Sequence, residues 1–327
     1  MFAAVLAASV ALAADASPDP LRTEDFICWK DIEYGPRRNL PYEKDWHESG
    51  QDMDVYMPAD GVRGSAPVVM FLHTGAWSQP FDKDNLPRKL LAELLARGAV
   101  VCSPGYILQT DNTLEPRPGF RPEATFARML RDVDEAAGKL KLFLREKGVE
   151  PSSFAIAGES AGAHLALLYA YDQGNPAALG LSLKHEFTVT KAGSVAGPVD
   201  FPALDNDHDE ETSSLNPNSY RYKFRILAKR VISGRDDLSD GDLWPLAAKW
   251  SPVNVVDGNS VPTVLAYGQL APLVTTDGAI PISQMESLHE KLEKAGVPCK
   301  SRKFYFSVHY NVADDGAEWI AEALLSP

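Results

Sequence analysis

Residues 154–171 read FAIAGESAGAHLALLYAY, and this stretch carries the strongest structural signal in the chain. The apolar residues 154–157 predict a short buried strand, and residues 161–171 predict a helix. Between them lies Gly158-Glu159-Ser160-Ala161-Gly162, which puts a serine on a tight turn from strand to helix. Small flanking residues let the backbone make such a turn, and the helix dipole favours negative charge that develops there. The pattern predicts that Ser160 is a nucleophile; the alternative is a serine that merely caps the helix.

Alternation of strands and helices continues on both sides of this turn. Residues 67–72 (PVVMFL) and 99–102 are typical of strands buried on both faces, whereas residues 86–97 and 124–147 have helical spacing. Further strands are predicted at residues 54–57, 192–196, 262–267 and 302–306, and further helices at 283–295 and 317–325. This order indicates an α/β fold with a mostly parallel central sheet and helices on both faces.

A second loop of small residues follows the predicted strand 67–72. It reads His73-Thr74-Gly75-Ala76-Trp77, and main-chain N–H groups of such a loop can point at an oxyanion. By itself the loop is equally consistent with a plain turn between a strand and a helix. Together with the serine turn, it points to nucleophilic catalysis.

These two loops resemble the α/β-hydrolase family, and within it the esterases with an HGG-type oxyanion loop, such as acetyl esterases and kynurenine-formamidase-like enzymes. The resemblance runs from about Asp54 to the C-terminus. It also rests on the segments DVY (54–56), GPVDF (197–201), WSP (250–252) and IPISQ (280–284). The resemblance implies an α/β-hydrolase fold and an oxyanion hole formed by Gly75, Ala76 and Ala161. One departure is Thr74, where the family usually has glycine.

The general base is expected to follow the last strand of this fold. His309 comes after Lys303-Phe304-Tyr305-Phe306 and fits the chain order serine, acid, histidine. The resemblance assigns structural roles to His73 and His164. We therefore predict His309 as the base.

The acid of the triad has two candidate positions in the sequence. The family pattern places an aspartate three residues after a glycine, and counting from Gly268 reaches Ala271. Counting back from the segment IPISQ (280–284) instead places Asp277 at the acid position. Asp277 is also the only carboxylate between Asp257 and Glu286, so we predict it as the acid. The alternative is that the acid was lost at position 271.

The composition restricts the partners of the protein. A formal net charge of −13 over 327 residues argues against a surface for nucleic acid or anionic membrane. No segment reaches the roughly 20 apolar residues needed to span a bilayer. Residues 1–14 are apolar and small, which predicts a signal peptide and a secreted or periplasmic location. The positively charged segment that usually begins a signal peptide is missing, because no Lys or Arg precedes the apolar run. The sequence leaves open whether Cys28 and Cys299 pair.

One hydrolase domain is predicted to span residues 51–327, after an N-terminal extension at residues 15–50. Residues 201–250 interrupt the strand–helix alternation and predict a cap-like excursion on one side of the sheet.

The expected activity is hydrolysis of small, short-acyl carboxylic esters through an acyl-enzyme formed on Ser160, with no cofactor and no metal. Two alternatives remain open at this point. An arylformamidase or amidase would use the same triad, and a weakened site would leave a binding protein on the hydrolase fold.

Overall fold

The computed structural model describes residues 19–35, 51–79, 81–109, 122–207, 220–271, 277 and 279–327. The predicted signal peptide, residues 1–14, lies outside them. The strands of the described residues are β1 Leu21–Arg22, β2 Phe26–Glu33, β3 Asp52–Pro58, β4 Gly64–Leu72, β5 Val100–Pro104, β6 Val149–Glu159, β7 Lys191–Val195, β8 Thr263–Gln269 and β9 Cys299–Tyr305.

These strands form one sheet in the order β1-β2-β3-β5-β4-β6-β7-β8-β9. The pairs from β5 through β9 are parallel, and the pairs that join β1, β2, β3 and β5 are antiparallel. The mostly parallel sheet predicted from the sequence is therefore confirmed. Parallel strands bring their carboxyl ends to one edge of the sheet, which is where sites in such folds are built.

Helices cover both faces of the sheet. The helices are α1 Arg88–Ala96, α2 Phe126–Glu146, α3 Ala161–Gly174, α4 Pro176–Leu179, α5 Phe201–Asp207, α6 Tyr220–Ser233, α7 Asp240–Lys249, α8 Pro252–Val255, α9 Ile282–Lys294, α10 Val312–Asp315 and α11 Ala317–Leu325. One hydrophobic cluster contains residues of α2, α3 and α9, and the other contains residues of α1, α10 and α11.

The buried part of strand β4 shows why residues 68–72 are all apolar. Val68, Met70 and Leu72 belong to one cluster, whereas Val69 and Phe71 belong to the other. Each side chain of the run therefore meets a helical layer, so no position along it tolerates a polar residue at low cost.

The sheet extends further toward the N-terminus than the predicted domain does. Strands β1 and β2 lie in the segment that the sequence indicated as an extension, and β2 pairs antiparallel with β3. The boundary predicted between residues 50 and 51 therefore lies between two paired strands. The predicted excursion at residues 201–250 contains α5, α6 and α7, which lie between β7 and β8 in the chain.

The cysteines do not pair within the chain. Cys28 lies on β2 and Cys299 on β9, seven strand positions away in the sheet. At about 4.8 Å per strand this separation is roughly 34 Å, far beyond disulfide range. Cys28, Cys102 and Cys299 are all free thiols.

A cluster of aromatic and histidine rings around Phe126 joins four other segments of the chain. The Phe126 ring lies 5.2 Å from Trp77, 4.6 Å from His164, 5.8 Å from Phe201 and 5.8 Å from Trp250, as measured between ring centroids. Phe126 is completely buried. One side chain of α2 thus packs the second loop, α3 and the start of the excursion together.

We expect Phe126→Ala to lower the free energy of unfolding by about 3–5 kcal/mol, since it leaves a cavity among these rings. Leu142→Ala is the matched control on the same helix, because Leu142 is 54% exposed. Its cost should stay within about 0.5 kcal/mol. Denaturant unfolding of both variants measures the difference, and equal costs would contradict the packing role of Phe126.

Candidate active site

Ser160 occupies a strained turn between β6 and α3. Its φ of 52° and ψ of −115° are unusual for a residue that has a side chain. The Ser160 N–H donates to the Val195 carbonyl at 2.8 Å, and the Ser160 carbonyl accepts from the His164 N–H at 3.1 Å. These two bonds tie the turn to β7 on one side and to α3 on the other.

The glycines that flank this turn are required by close backbone approaches. A Cβ on Gly162 would lie 2.1 Å from the Leu72 carbonyl oxygen at the end of β4. A Cβ on Gly158 would lie 2.4 Å from the Gly162 carbonyl carbon. Both glycines of the motif therefore serve packing, and they let α3 begin directly against the neighbouring strand.

Three side chains predicted from the sequence meet at the carboxyl edge of the sheet. The Ser160 Oγ lies 3.0 Å from His309 Nε2, and His309 Nδ1 lies 2.9 Å from Asp277 Oδ2. Asp277 and His309 are almost completely buried, at 1% and 6% exposure. The structure thus places these groups in one hydrogen-bonded line from hydroxyl to carboxylate.

Main-chain hydrogen bonds hold Asp277 in this line. Its Oδ1 accepts from the N–H groups of Ala279 at 2.9 Å and Ile280 at 2.8 Å. The His309 N–H donates to the Asp277 carbonyl at 3.0 Å. The carboxylate that contacts the His309 ring is therefore that of Asp277, while Ala271 lies at the start of the same loop and carries no carboxylate.

The second loop contains three consecutive residues with positive φ. Gly75, Ala76 and Trp77 have φ values of 120°, 47° and 58°, and the Gly75 carbonyl accepts from the N–H groups of Ser78 and Gln79. Among the described residues, no acceptor pairs with the main-chain N–H of Gly75, Ala76 or Ala161. These donors are available to a ligand.

His73 and His164 are buried and neutral. Burial lowers the pKa of His73 to about 4 and that of His164 to about 3. The His73 ring stacks on Tyr106 at 4.1 Å, and His164 Nε2 lies 2.8 Å from the Trp250 carbonyl. Both contacts are structural, in line with the roles that the resemblance implied.

Comparison with known proteins places the chain in a family. Residues 53–292 match the model of the BD-FAE family. This chain belongs to the BD-FAE family. The match begins at β3 and covers the serine turn, the second loop and Asp277, so the BD-FAE region contains most of the site.

Two curated proteins are similar to this BD-FAE chain. One is "Probable isoprenylcysteine alpha-carbonyl methylesterase ICME" of Oryza sativa subsp. japonica, 25% identical over 80% of this chain and 55% of the relative. The other is "Esterase LipQ" of Mycobacterium tuberculosis, 24% identical over 81% of this chain and 53% of the relative. The chain spans about half the length of the curated relatives it matches.

Solved structures share the fold of the chain. A truncated carbohydrate esterase from gut microbiota aligns with a TM-score of 0.64 and 18% identity, covering 94% of this chain and 99% of that one. Esterase B from Lactobacillus rhamnosis aligns with a TM-score of 0.64 and 18% identity, covering 92% and 83%. At these identities the comparison establishes the α/β-hydrolase fold, which confirms the fold expected from the resemblance.

The described part of the chain lacks two other features. No group of three or more His, Cys, Asp or Glu side chains is arranged there to hold a metal ion. None of the helices described combines the length and apolar composition needed to cross a bilayer.

The environment of Glu159, the residue before Ser160, could not be predicted from the sequence. Its side chain is 4% exposed, and Oε1 has no hydrogen-bond partner among the described residues. Burial, with smaller contributions from the carboxylates of Asp314 and Asp277, raises the pKa of Glu159 to about 8. The acidic residue inside the motif was the available signal, but the sequence does not show that it is buried.

We expect Glu159 to make the protein less stable as the pH rises. The folded chain holds this proton up to about pH 8, whereas the unfolded chain releases it near the ordinary value of 4.5. Between these two pH values the folded state binds more protons than the unfolded state. The free energy of unfolding therefore falls as the pH rises from 4.5 to about 8, by an amount on the order of a few kcal/mol.

Glu159→Gln removes this titration. Its melting temperature should match that of the wild type at pH 4 and exceed it by a growing margin toward pH 8. Glu150→Gln, at an exposed position on the same strand, is the control and should show no such trend. A constant difference between Glu159→Gln and the wild type across this range would contradict the assignment.

Proposed function

We propose that this protein is a serine carboxylic-ester hydrolase that acts on small, short-acyl esters, with Ser160, His309 and Asp277 as its catalytic residues. The observation that carries the proposal is the continuous line of hydrogen bonds from Ser160 Oγ through the His309 ring to Asp277. Membership of the BD-FAE family supports the proposal, as does the similarity to a probable methylesterase and to an esterase.

In the first half of the reaction, Ser160 Oγ attacks the ester carbonyl carbon, and its proton moves to His309 Nε2. The new bond to Oγ pushes the carbonyl electrons onto oxygen. That oxyanion accepts hydrogen bonds from the N–H groups of Gly75, Ala76 and Ala161. The same donors lack a protein acceptor among the described residues, which leaves them ready for the charge.

Collapse of the intermediate breaks the bond between the carbonyl carbon and the alcohol oxygen. His309 gives its proton to the departing alcohol, and an acyl group remains on Ser160. Water then attacks the acyl carbon while His309 takes its proton, and the acid leaves when Oγ recovers that proton. Asp277 holds the ring orientation and stabilises the imidazolium in both halves.

Crowding beside the second loop supports a short acyl group. Trp77 follows Ala76 directly, is buried, and packs edge-on against Phe126, His164 and Phe201. Thr74 is also buried where the related esterases usually have glycine. Because these buried side chains flank the proposed oxyanion donors in the chain, we propose an acetyl-sized acyl group rather than a long chain.

Ser160→Ala should reduce kcat for p-nitrophenyl acetate by a factor on the order of 10⁴ or more, because it removes the attacking atom. Ser152→Ala, at an exposed position on the same strand, is the control and should keep wild-type turnover. Circular dichroism verifies that both variants fold. If folded Ser160→Ala keeps more than about a tenth of the activity, Ser160 is not the nucleophile.

The acid is tested by a pair of substitutions in one loop. Asp277→Asn should lower kcat by about 10⁴, since the amide favours the wrong imidazole tautomer and does not stabilise the imidazolium. Ala271→Asp should bring no gain in the wild-type background. Steady-state kinetics on p-nitrophenyl acetate decides: a silent Asp277→Asn together with strong activation by Ala271→Asp would overturn the choice of Asp277.

A further inference from the structure

Exposed apolar side chains are concentrated beside His309. Within the described residues, eight large hydrophobic side chains are exposed, and five of them lie at position 270 and between positions 305 and 310. These five are Leu270, Tyr305, Phe306, Val308 and Tyr310. Concentration of apolar surface in one place on a water-soluble domain marks a binding surface more often than chance exposure does.

Two aromatic rings connect this surface to both halves of the proposed site. The Tyr310 ring packs edge-on against His309, with 5.0 Å between centroids, and is itself 59% exposed. The Phe81 ring lies 6.4 Å from Tyr310 at an interplanar angle of 28°. Phe81 also lies against Gly75, where a Cβ would approach Phe81 Cδ2 to 2.9 Å. The pair therefore reaches from the second loop to His309.

The backbone holds the neighbouring Phe306 outward at a cost. Its φ of 64° lies in the left-handed region, which is strained for an aromatic residue, and its side chain is 75% exposed. The Phe306 N–H donates to the Gln269 carbonyl at 2.7 Å, which fixes the turn. Strained backbone is concentrated at sites that bind ligands, so an exposed ring on such a turn, three residues before His309, is expected to contact a ligand.

In the proposed mechanism, the alcohol part of the ester lies beside His309. His309 must deliver a proton to the alcohol oxygen, so the alcohol departs on the His309 side of the reacting carbon. The residues around His309 therefore contact the alcohol rather than the acyl group.

We propose that Phe81 and Tyr310 form a subsite for the alcohol part of the ester, and that this subsite selects alcohols carrying a flat, uncharged aromatic ring. The inference rests on the proposed esterase function. A ring on the alcohol packs against Tyr310 and Phe81, and Phe306 extends the apolar surface outward. Phe and Tyr side chains have only two rotatable torsions, so they lose little conformational freedom on binding. Each ring contact then stabilises the complex by a modest amount.

The test compares 2-phenylethyl acetate with ethyl acetate. The two esters share the acetyl group, and both release a primary alcohol, so they differ in the ring alone. The readout is the ratio of their kcat/KM values, and the wild type should favour the phenylethyl ester. Tyr310→Ala should lower this ratio about tenfold, whereas Tyr310→Phe should preserve it because the ring remains. Leu142→Ala, exposed on α2, is the control and should leave the ratio unchanged.

The outcomes separate the subsite from the proposed function. Hydrolysis of neither ester by the wild type, together with failure of Ser160 to react with a fluorophosphonate probe, would reject the esterase function itself. If both esters are hydrolysed and Tyr310→Ala lowers both rates equally, Tyr310 acts only on His309 and the subsite is rejected. An unchanged ratio in Tyr310→Ala rejects it as well, while selective loss on the phenylethyl ester supports it.

Discussion

Ser160 has a φ of 52°, a conformation that costs a residue with a side chain about 1–3 kcal/mol and needs the surroundings to enforce it. This conformation is held by contacts that also set the distance between Ser160 and the second loop. Gly162 packs so closely on the Leu72 carbonyl that no side chain fits between them. Because Leu72 ends β4 and His73 begins the second loop, this one approach fixes the start of α3 relative to the proposed oxyanion donors.

Much of this arrangement follows from local sequence. The apolar run at residues 67–72 predicts a strand buried on both faces, and β4 has side chains in both clusters. Ser160 and His309 are found from their positions after particular strands, and their side chains lie in hydrogen-bond range. The position of the proposed triad acid is harder to predict, because the length of the loop after β8 cannot be derived from the sequence pattern. Two counts from fixed points reach positions 271 and 277, and only the folded chain shows which one contacts His309.

Features that depend on distant contacts could not be predicted in the same way. Strand β2 begins with an apolar run, residues 26–29, but that run does not show which strand it joins, and the pairing with β3 supplies this place. Phe81 and Tyr310 are 229 positions apart in the sequence, and nothing local suggests that their rings meet. Two of the groups that act on the pKa of Glu159, Asp314 and Asp277, are likewise more than 100 positions away in the sequence.

Two carboxyl groups near Ser160 thus have opposite surroundings, and the contrast suits the chemistry that we propose. Asp277 accepts hydrogen bonds from two main-chain N–H groups and lies 2.9 Å from His309 Nδ1, which suits the role of triad acid that we propose for it. Glu159 Oε1 has no donor among the described residues, and its pKa is raised to about 8. At neutral pH a protonated Glu159 therefore adds no negative charge near the carbonyl oxygen on which the proposed mechanism develops an oxyanion. An acid next to the proposed nucleophile is compatible with acyl transfer because its burial keeps it protonated.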